Sequence, residues 1–189
     1  MMTFAELLKN RRSIRDFQDK NIPMNVIEEI LHELTFAPSA SNGQPCRFSI
    51  VHCKKTIKAL SDESKANLLE DYAKNKTLLN PAYVDVLKDA NFNVFYNAPC
   101  LIFIIGSSSV RSLDVDCALA ASYLMFSAVE RGLGTCWINL GSQIRDPQLK
   151  AVLGIPDGCR IVAPIIIGYP KEIPPASERH APQILKIVS

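Results

Sequence analysis

The spacing of apolar and polar positions divides this chain into short helices, buried strands and a few polar loops. Thr3-x-x-Glu6 opens it as a capping box: hydroxyl and carboxylate satisfy free backbone N–H groups at a helix start. A short helix over Thr3–Asn10 follows, and Arg11 to Phe17 reads as extended. Pro23 suits the first turn of a second helix, in which Val26, Ile27, Ile30, Leu31 and Leu34 recur along one face. Pro38 to Pro45 is a loop, Cys46 to Cys53 a strand, and Lys54 to about Ala73 a helix. Asn75 to Asn97 mixes apolar and polar residues around Pro81, which predicts short helices covering a site.

Pro99 to Gly106 is apolar on both parities and reads as a buried strand. A helix starting at Asp114 or Asp116 and running to about Arg131 is apolar on most of its faces. Such a helix is buried, which in a chain of this size suggests a central element, open to packing against a second subunit. Gly132 is placed to cap it. Thr135 to Leu140 begins as a strand, Asp146-Pro147 can start a short helix closing near Gly154, and Pro156-Asp157-Gly158 is a turn. Arg160 to Gly168 is another buried strand. The proline-rich tail, Tyr169 to Ser189, reads as an extended arm. Helices and strands are interspersed without the rhythm of a doubly wound sheet, so the class is α+β.

Composition narrows the function classes. A length of 189 residues suits one domain over 1–189, and 48% apolar residues can fill its core. The net charge of +2 is too small for a nucleic-acid-binding face. The longest apolar run, Cys100 to Ile105, is far short of a membrane span. The start, Met1-Met2-Thr3-Phe4-Ala5-Glu6, lacks a basic region followed by an apolar one, so the expected location is cytoplasmic. The six cysteines form no C-x-x-C pair and His32, His52 and His180 show no zinc spacing, so no metal site is expected and the cysteines read as structural. A reactive thiol at Cys46 or Cys136 is the alternative.

Three clusters carry possible chemistry. In Arg11-Arg12-Ser13-Ile14-Arg15, an extended backbone turns Arg11, Ser13 and Arg15 to one side and Ile14 toward the core. Two guanidiniums with a hydroxyl between them make an anion site, because the planar fork of Arg donates paired hydrogen bonds to phosphate. Read alone, the run also fits a solvated basic turn. Pro38-Ser39-Ala40-Ser41-Asn42-Gly43-Gln44-Pro45 joins two rigid prolines to side chains that donate and accept, as a planar heterocycle with mixed edges requires. The same residues also serve simple turns. Gly132-Leu133-Gly134-Thr135-Cys136-Trp137-Ile138-Asn139 holds a G-x-G pair, but its glycines follow a helix, which excludes a dinucleotide-binding turn. A helix cap leading into a strand that approaches a flat ligand fits better.

Together these clusters resemble the nitroreductase family, in order and over nearly the whole chain. Its landmarks are the Arg-Arg-Ser-x-Arg segment (Arg11 to Arg15), the Pro-Ser-x-x-Asn-x-Gln-Pro loop (Pro38 to Pro45), an Ala-Pro strand (Ala98-Pro99), a long apolar helix, Gly-Leu-Gly-Thr-x-Trp, and a late Gly-Tyr-Pro (Gly168 to Pro170). The resemblance implies a central, mostly antiparallel sheet flanked by helices, and a homodimer with FMN at each of two interfacial sites. By similarity Arg11, Arg12, Ser13 and Arg15 hold the phosphate and ribityl end. Pro38, Ser39, Ala40 and Asn42 come from the other subunit, with Gln44 near the same pocket. Trp137, Ile138, Asn139 and Leu140 lie along the isoalloxazine with a backbone N–H near flavin N5, and Arg179 is the candidate for a C-terminal basic contact to the phosphate. Two departures stand out: Cys46 replaces a frequent Trp, and Ala176 to His180 is less basic than usual.

The implied chemistry is cofactor chemistry, in which the protein supplies position, electrostatics and exclusion of water. NADH or NADPH would give a hydride to the flavin and leave before a nitroaromatic, quinone or similar acceptor takes the electrons, a ping-pong scheme. Reductive dehalogenation or flavin breakdown on the same fold, and a flavin-binding sensor without turnover, are the competing expectations.

Overall fold

The computed structural model describes residues 2–188; Met1 and Ser189, the outermost residues of the expected N-terminus and arm, lie outside them. Among the described residues there are six α-helices: α1 (Phe4–Asn10), α2 (Met24–Leu34), α3 (Lys54–Lys74), α4 (Pro81–Lys88), α5 (Leu113–Glu130) and α6 (Pro147–Val152). Four strands, β1 (Arg47–Val51), β2 (Cys100–Ser107), β3 (Gly134–Trp137) and β4 (Cys159–Gly168), form one sheet in the order β1-β2-β4-β3, each pair antiparallel. The class is the α+β arrangement expected.

β2 and β4 are central and buried along nearly their whole length, which explains their unbroken apolar runs. Their side chains alternate between two cores. On one face Leu101, Phe103, Ile105 and Ile166 pack with Ile57 and Leu60 of α3 and with Phe95, whose ring meets Phe103 edge-on at 6.1 Å. On the other Ile102, Ile104, Ile165 and Ile167 pack against Ile27 and Ile30 of α2 and Cys117, Ala121 and Leu124 of α5.

Local chemistry sets the element ends. Thr3 and Glu6 form the capping box on α1. Asp146 accepts from Leu149 N at the start of α6. Gly132, at φ +70°, closes α5 in a Schellman motif: Leu133 N donates to Ala128 O and Gly132 N to Val129 O.

Three expectations change in detail. The strand expected over Thr135 to Leu140 stops at Trp137, and Asn139–Gly141 forms a 3-10 turn. Ile138 N donates to Pro164 O at 2.8 Å, but Pro164 has no N–H to return, so the ladder ends there. Asn75 to Asn97 contains the single helix α4, followed by turns. α5 begins one residue before Asp114, because Asp116 N reaches back to Ser112 O. No helix is long and apolar enough to cross a membrane among the described residues. Residues 171–188 form no helix or strand and are exposed throughout, as the arm reading expects.

An ionic cluster ties α2 to α5. Arg131 donates to both carboxylate oxygens of Glu33, at 2.5 and 3.0 Å, and Ser127 Oγ donates to the same group at 2.6 Å. These donors, Arg131 above all, hold the Glu33 carboxyl below its ordinary value of 4.5. Because the folded state lowers this value, the stabilisation is complete above the ordinary glutamate range and is lost as pH falls through the folded value. Glu33 is partly exposed, so the effect is modest. Thermal melts of Glu33→Gln beside the parent chain should show a gap of a few degrees at pH 7 that narrows as pH falls below the ordinary glutamate value of 4.5. A gap that widened with acid would contradict this role.

Candidate functional site

The Arg11 to Phe17 segment lies along the free edge of β3. Ile14 N donates to Thr135 O at 3.0 Å, pairing Ser13 with Thr135, and Phe17 bridges Pro170. Gln18 N to Tyr169 O at 2.8 Å completes the clamp. Ile14 seats where Gly134 leaves room: a Cβ on Gly134 would stand 2.5 Å from Ile14 Cγ1. The clamp holds the segment extended, with Ile14 and Phe17 buried while Ser13 and Arg15 face outward.

Arg11 and Arg15 have no carboxylate partner among the described ion pairs. Arg15 rests with its guanidinium carbon 5.7 Å from the centre of the Tyr96 ring. Arg12, grouped with them by resemblance, takes the other side of the extended chain. Its Nη1 donates to Lys9 O at 2.6 Å and Arg11 O at 2.8 Å, over the carbonyl end of α1. Its Nε is buried without a partner. Alternation on an extended backbone is the reason: Arg12 and Ile14 line one cavity with Leu133 and Gly134, away from Ser13 and Arg15.

The bridge at Thr135 sets the Trp137 to Leu140 stretch close by along the chain. Ile138 is buried, Asn139 exposed, and Trp137 and Leu140 half-buried. The turn that follows is built by α3 from below. Ser64 Oγ donates to Leu140 O at 2.5 Å and Asn67 Nδ2 to Gln143 O at 2.8 Å. Farther along, Ser61 Oγ accepts from Val94 N, and Lys65 Nζ donates to Asp89 O and Phe92 O. The buried face of α3 is therefore polar where it supports loops, and each polar group is matched to a backbone partner.

Sequence reasoning missed the Asn93–Asn97 turn, which joins these parts. Phe95 packs against Gly141, where a Cβ would approach its ring to 2.2 Å, and the neighbouring Tyr96 meets Arg15. Tyr96 and Asn97 both have positive φ, 53° and 51°. Asn tolerates that conformation, but nothing in a Tyr announces it.

The Pro38 to Pro45 loop lies elsewhere. It contains a 3-10 turn at Ala40–Asn42, and Ser41, Asn42 and Gln44 all adopt positive φ. It is pinned by Asp116 of α5, which accepts from Ala40 N at 3.0 Å, and by Ser39 Oγ, which accepts from Gln44 N. Asp116, also unforeseen, is buried and takes a second bond from Ser112 Oγ. Pro38, Ala40, Asn42 and Gln44 are exposed and Ser39 half-buried.

This loop leads into β1, one edge of the sheet, whereas Arg11 to Arg15 runs beside β3, the other. The two also sit at opposite strand ends. Arg47 pairs with Ile105, while Thr135 pairs with Ile167, which pairs with Cys100. With strands about 4.8 Å apart and residues about 3.4 Å apart, the corners are on the order of 20 Å from each other. Within one protomer the two clusters do not meet. Arg179 lies in the exposed arm and makes no hydrogen bond or ion pair among the described residues.

The nitroreductase family model matches residues 8–169. This chain belongs to the nitroreductase family. Among its relatives is YfhC of Bacillus subtilis (strain 168), which carries a provisional NAD(P)H nitroreductase name; it is 29% identical over 180 residues, covering 92% of this chain and 88% of that protein. Human iodotyrosine deiodinase 1 is 25% identical over 213 residues, covering 98% of this chain and 68% of the deiodinase. The fold matches that of a Bacteroides fragilis NCTC 9343 nitroreductase with bound FMN, with a TM-score of 0.83, 23% identity and all of both chains covered.

Gly141→Ala tests how the family member's turn is built. A methyl group there must displace Phe95, so the expected cost is about 1–3 kcal/mol, as for overpacking, read as a fall in the denaturant midpoint. Unchanged stability would show that Phe95 moves freely and does not position the turn.

Proposed function

We propose that this nitroreductase-family protein is an FMN-dependent oxidoreductase that works as a homodimer and takes electrons from NADH or NADPH to a small acceptor such as a nitroaromatic or quinone. The observation that carries the proposal is the placement of its two polar clusters at opposite corners of one sheet. A cofactor needing both is served when a two-fold axis sets one copy's Arg11 to Arg15 beside the other copy's loop.

The side chains fit FMN. Two guanidiniums without carboxylate partners and a hydroxyl suit a phosphate, and the buried Phe95 braces the Asn139–Gly141 turn while the half-buried Tyr96 beside Arg15 offers a ring-bearing ligand a surface. In this reading Arg11 and Arg15 neutralise the phosphate, Ser13 donates a hydrogen bond to it, and Arg12 secures the backbone that carries them. Trp137, Ile138, Asn139 and Leu140 border the ring. Pro38, Ser39, Ala40, Asn42 and Gln44 of the partner subunit close the other side, and Arg179 of the partner subunit is the candidate third cation. Bound flavin supplies the redox step itself, accepting a hydride and passing electrons on.

Association is supported by what the single chain leaves uncovered. Val115 (63% exposed), Leu119 (36%) and Tyr123 (41%) form an outer stripe on α5, continued by Phe4 and Leu8 of α1. The arm exposes Ile173, Ile184, Leu185 and Ile187. Apolar surface of that extent marks a contact face, and a second copy covers both the stripe and the arm.

Purified protein should carry a flavin spectrum that bleaches with NADH or NADPH without oxygen and recolours on adding a nitroaromatic or quinone, with 3-iodotyrosine as a control acceptor. Flavin that never bleaches would defeat the enzyme reading. Arg15→Ala should weaken FMN binding about 10- to 100-fold, the loss of a charge-assisted contact, while the apoprotein melts within a degree or two of the parent. Equal FMN affinity in titration would remove Arg15 from the phosphate set. Shared sites are tested by co-refolding Arg11→Ala/Arg15→Ala with Ser39→Ala/Asn42→Ala. Random pairing restores roughly a quarter of the sites, whereas a site within one protomer restores none.

A further inference from the structure

Behind the Pro38 to Pro45 loop, two thiols face each other. Cys46 begins the chain's exit from the loop toward β1, and Cys117 is on α5; their sulfurs are 3.5 Å apart. Neither is in a disulfide. Cys117 is fully buried, while Cys46 is half-buried and lines a cavity of about 90 Å³ together with Ser39, Gln44 and Asp116. That space admits a molecule the size of water or hydrogen peroxide.

We propose that Cys46 and Cys117 form a reversible redox pair, converted by hydrogen peroxide into a disulfide that fastens the exit of the loop to α5. In the first step the Cys46 thiolate attacks one peroxide oxygen. The O–O bond breaks, one oxygen leaves as hydroxide and takes the proton that the Cys46 thiol had released to become water, and Cys46 becomes a sulfenic acid. Cys117 then attacks the Cys46 sulfur, its proton and the sulfenic hydroxyl leaving as a second water. Two thiols lose two electrons and two protons in all, and one peroxide yields two waters.

The surroundings favour that order. Contact with Cys117 holds the Cys46 thiol below its ordinary value, against the opposing effects of burial and of the Asp116 carboxylate. The same contact, then burial, pushes the Cys117 thiol well up, with Asp114 and Asp116 adding to the rise. The accessible sulfur is thus the one that ionises more easily, and the enclosed one is left to resolve it. Closure needs about 1.5 Å of approach, from 3.5 Å to the roughly 2 Å of an S–S bond. The new bond would lie in parallel with the hydrogen bond from Ala40 N to Asp116, the residue before Cys117. It would therefore tie both ends of the loop that carries Ser39, Asn42 and Gln44 to the first turns of α5.

The pair does not depend on the flavin reading. The experiment treats the full-length protein with hydrogen peroxide and measures intact mass, non-reducing peptide maps and melting temperature, then adds dithiothreitol. The expected result is a 2 Da loss with a Cys46–Cys117 linked peptide, a melting temperature raised by on the order of 5–10 °C, and reversal by dithiothreitol. Cys117→Ser should instead gain 16 or 32 Da at Cys46 with no linked peptide; Cys117→Ala serves should the serine variant fold poorly. Overoxidation of Cys46 in the parent chain without cross-linking would overturn the proposal. So would oxidation confined to the exposed Cys53, or a linked peptide that leaves the melting temperature unchanged.

Discussion

A sheet of four strands keeps its two edges apart, and in this protein that separation governs everything built on it. β2 and β4 are buried on both faces by two cores, so the sheet cannot bend to bring β1 toward β3. The polar loop enters at β1 and the arginine segment runs beside β3. Each is anchored firmly, one by Asp116 and the other by Thr135 and Tyr169, and neither anchor gives the other reach. The proposed association of two copies would present both clusters to one ligand. The apolar stripe on α5 and the exposed arm would be the surface for it.

The cores and the site are coupled through elements that look ordinary by themselves. α3 presents Ser61, Ser64, Lys65 and Asn67 inward, and those four side chains hold the backbone of two loops. A helix that buried only apolar residues would leave those carbonyls and amides without partners at appreciable cost. Gly134 and Gly141 work in the opposite sense: by lacking a side chain they admit Ile14 and Phe95, which set the arginine segment and the turn after β3. Polar groups and missing side chains thus position the candidate site as much as the residues expected to touch a ligand.

Family membership and the local geometry answer different questions. The family match places the chain in the nitroreductase family over residues 8–169, and the fold follows that of a solved family structure. The local geometry adds Cys46 facing Cys117 behind the loop and Arg12 folded over the end of α1. Neither is implied by the motif order, and both bear on how firmly the two clusters are held.

Much of the architecture was legible along the chain because it rests on local rules. The capping box at Thr3 and Glu6, the cap at Gly132, the proline start of α6 and the double-parity apolar runs of β2 and β4 all depend on neighbours within a few residues. The segments Arg11 to Arg15, Pro38 to Pro45 and Trp137 to Leu140 were legible too, as residue types in sequence order. Only the tertiary structure decided where they lie: Arg12 opposite Arg15, the loop a sheet's width from the arginines, β3 halted by a proline on the neighbouring strand. Gly141 against Phe95, Arg15 beside Tyr96 and Asp116 beneath Ala40 join residues far apart in the chain. No periodicity carries such pairings, because they arise when separately specified elements pack and leave room for one another.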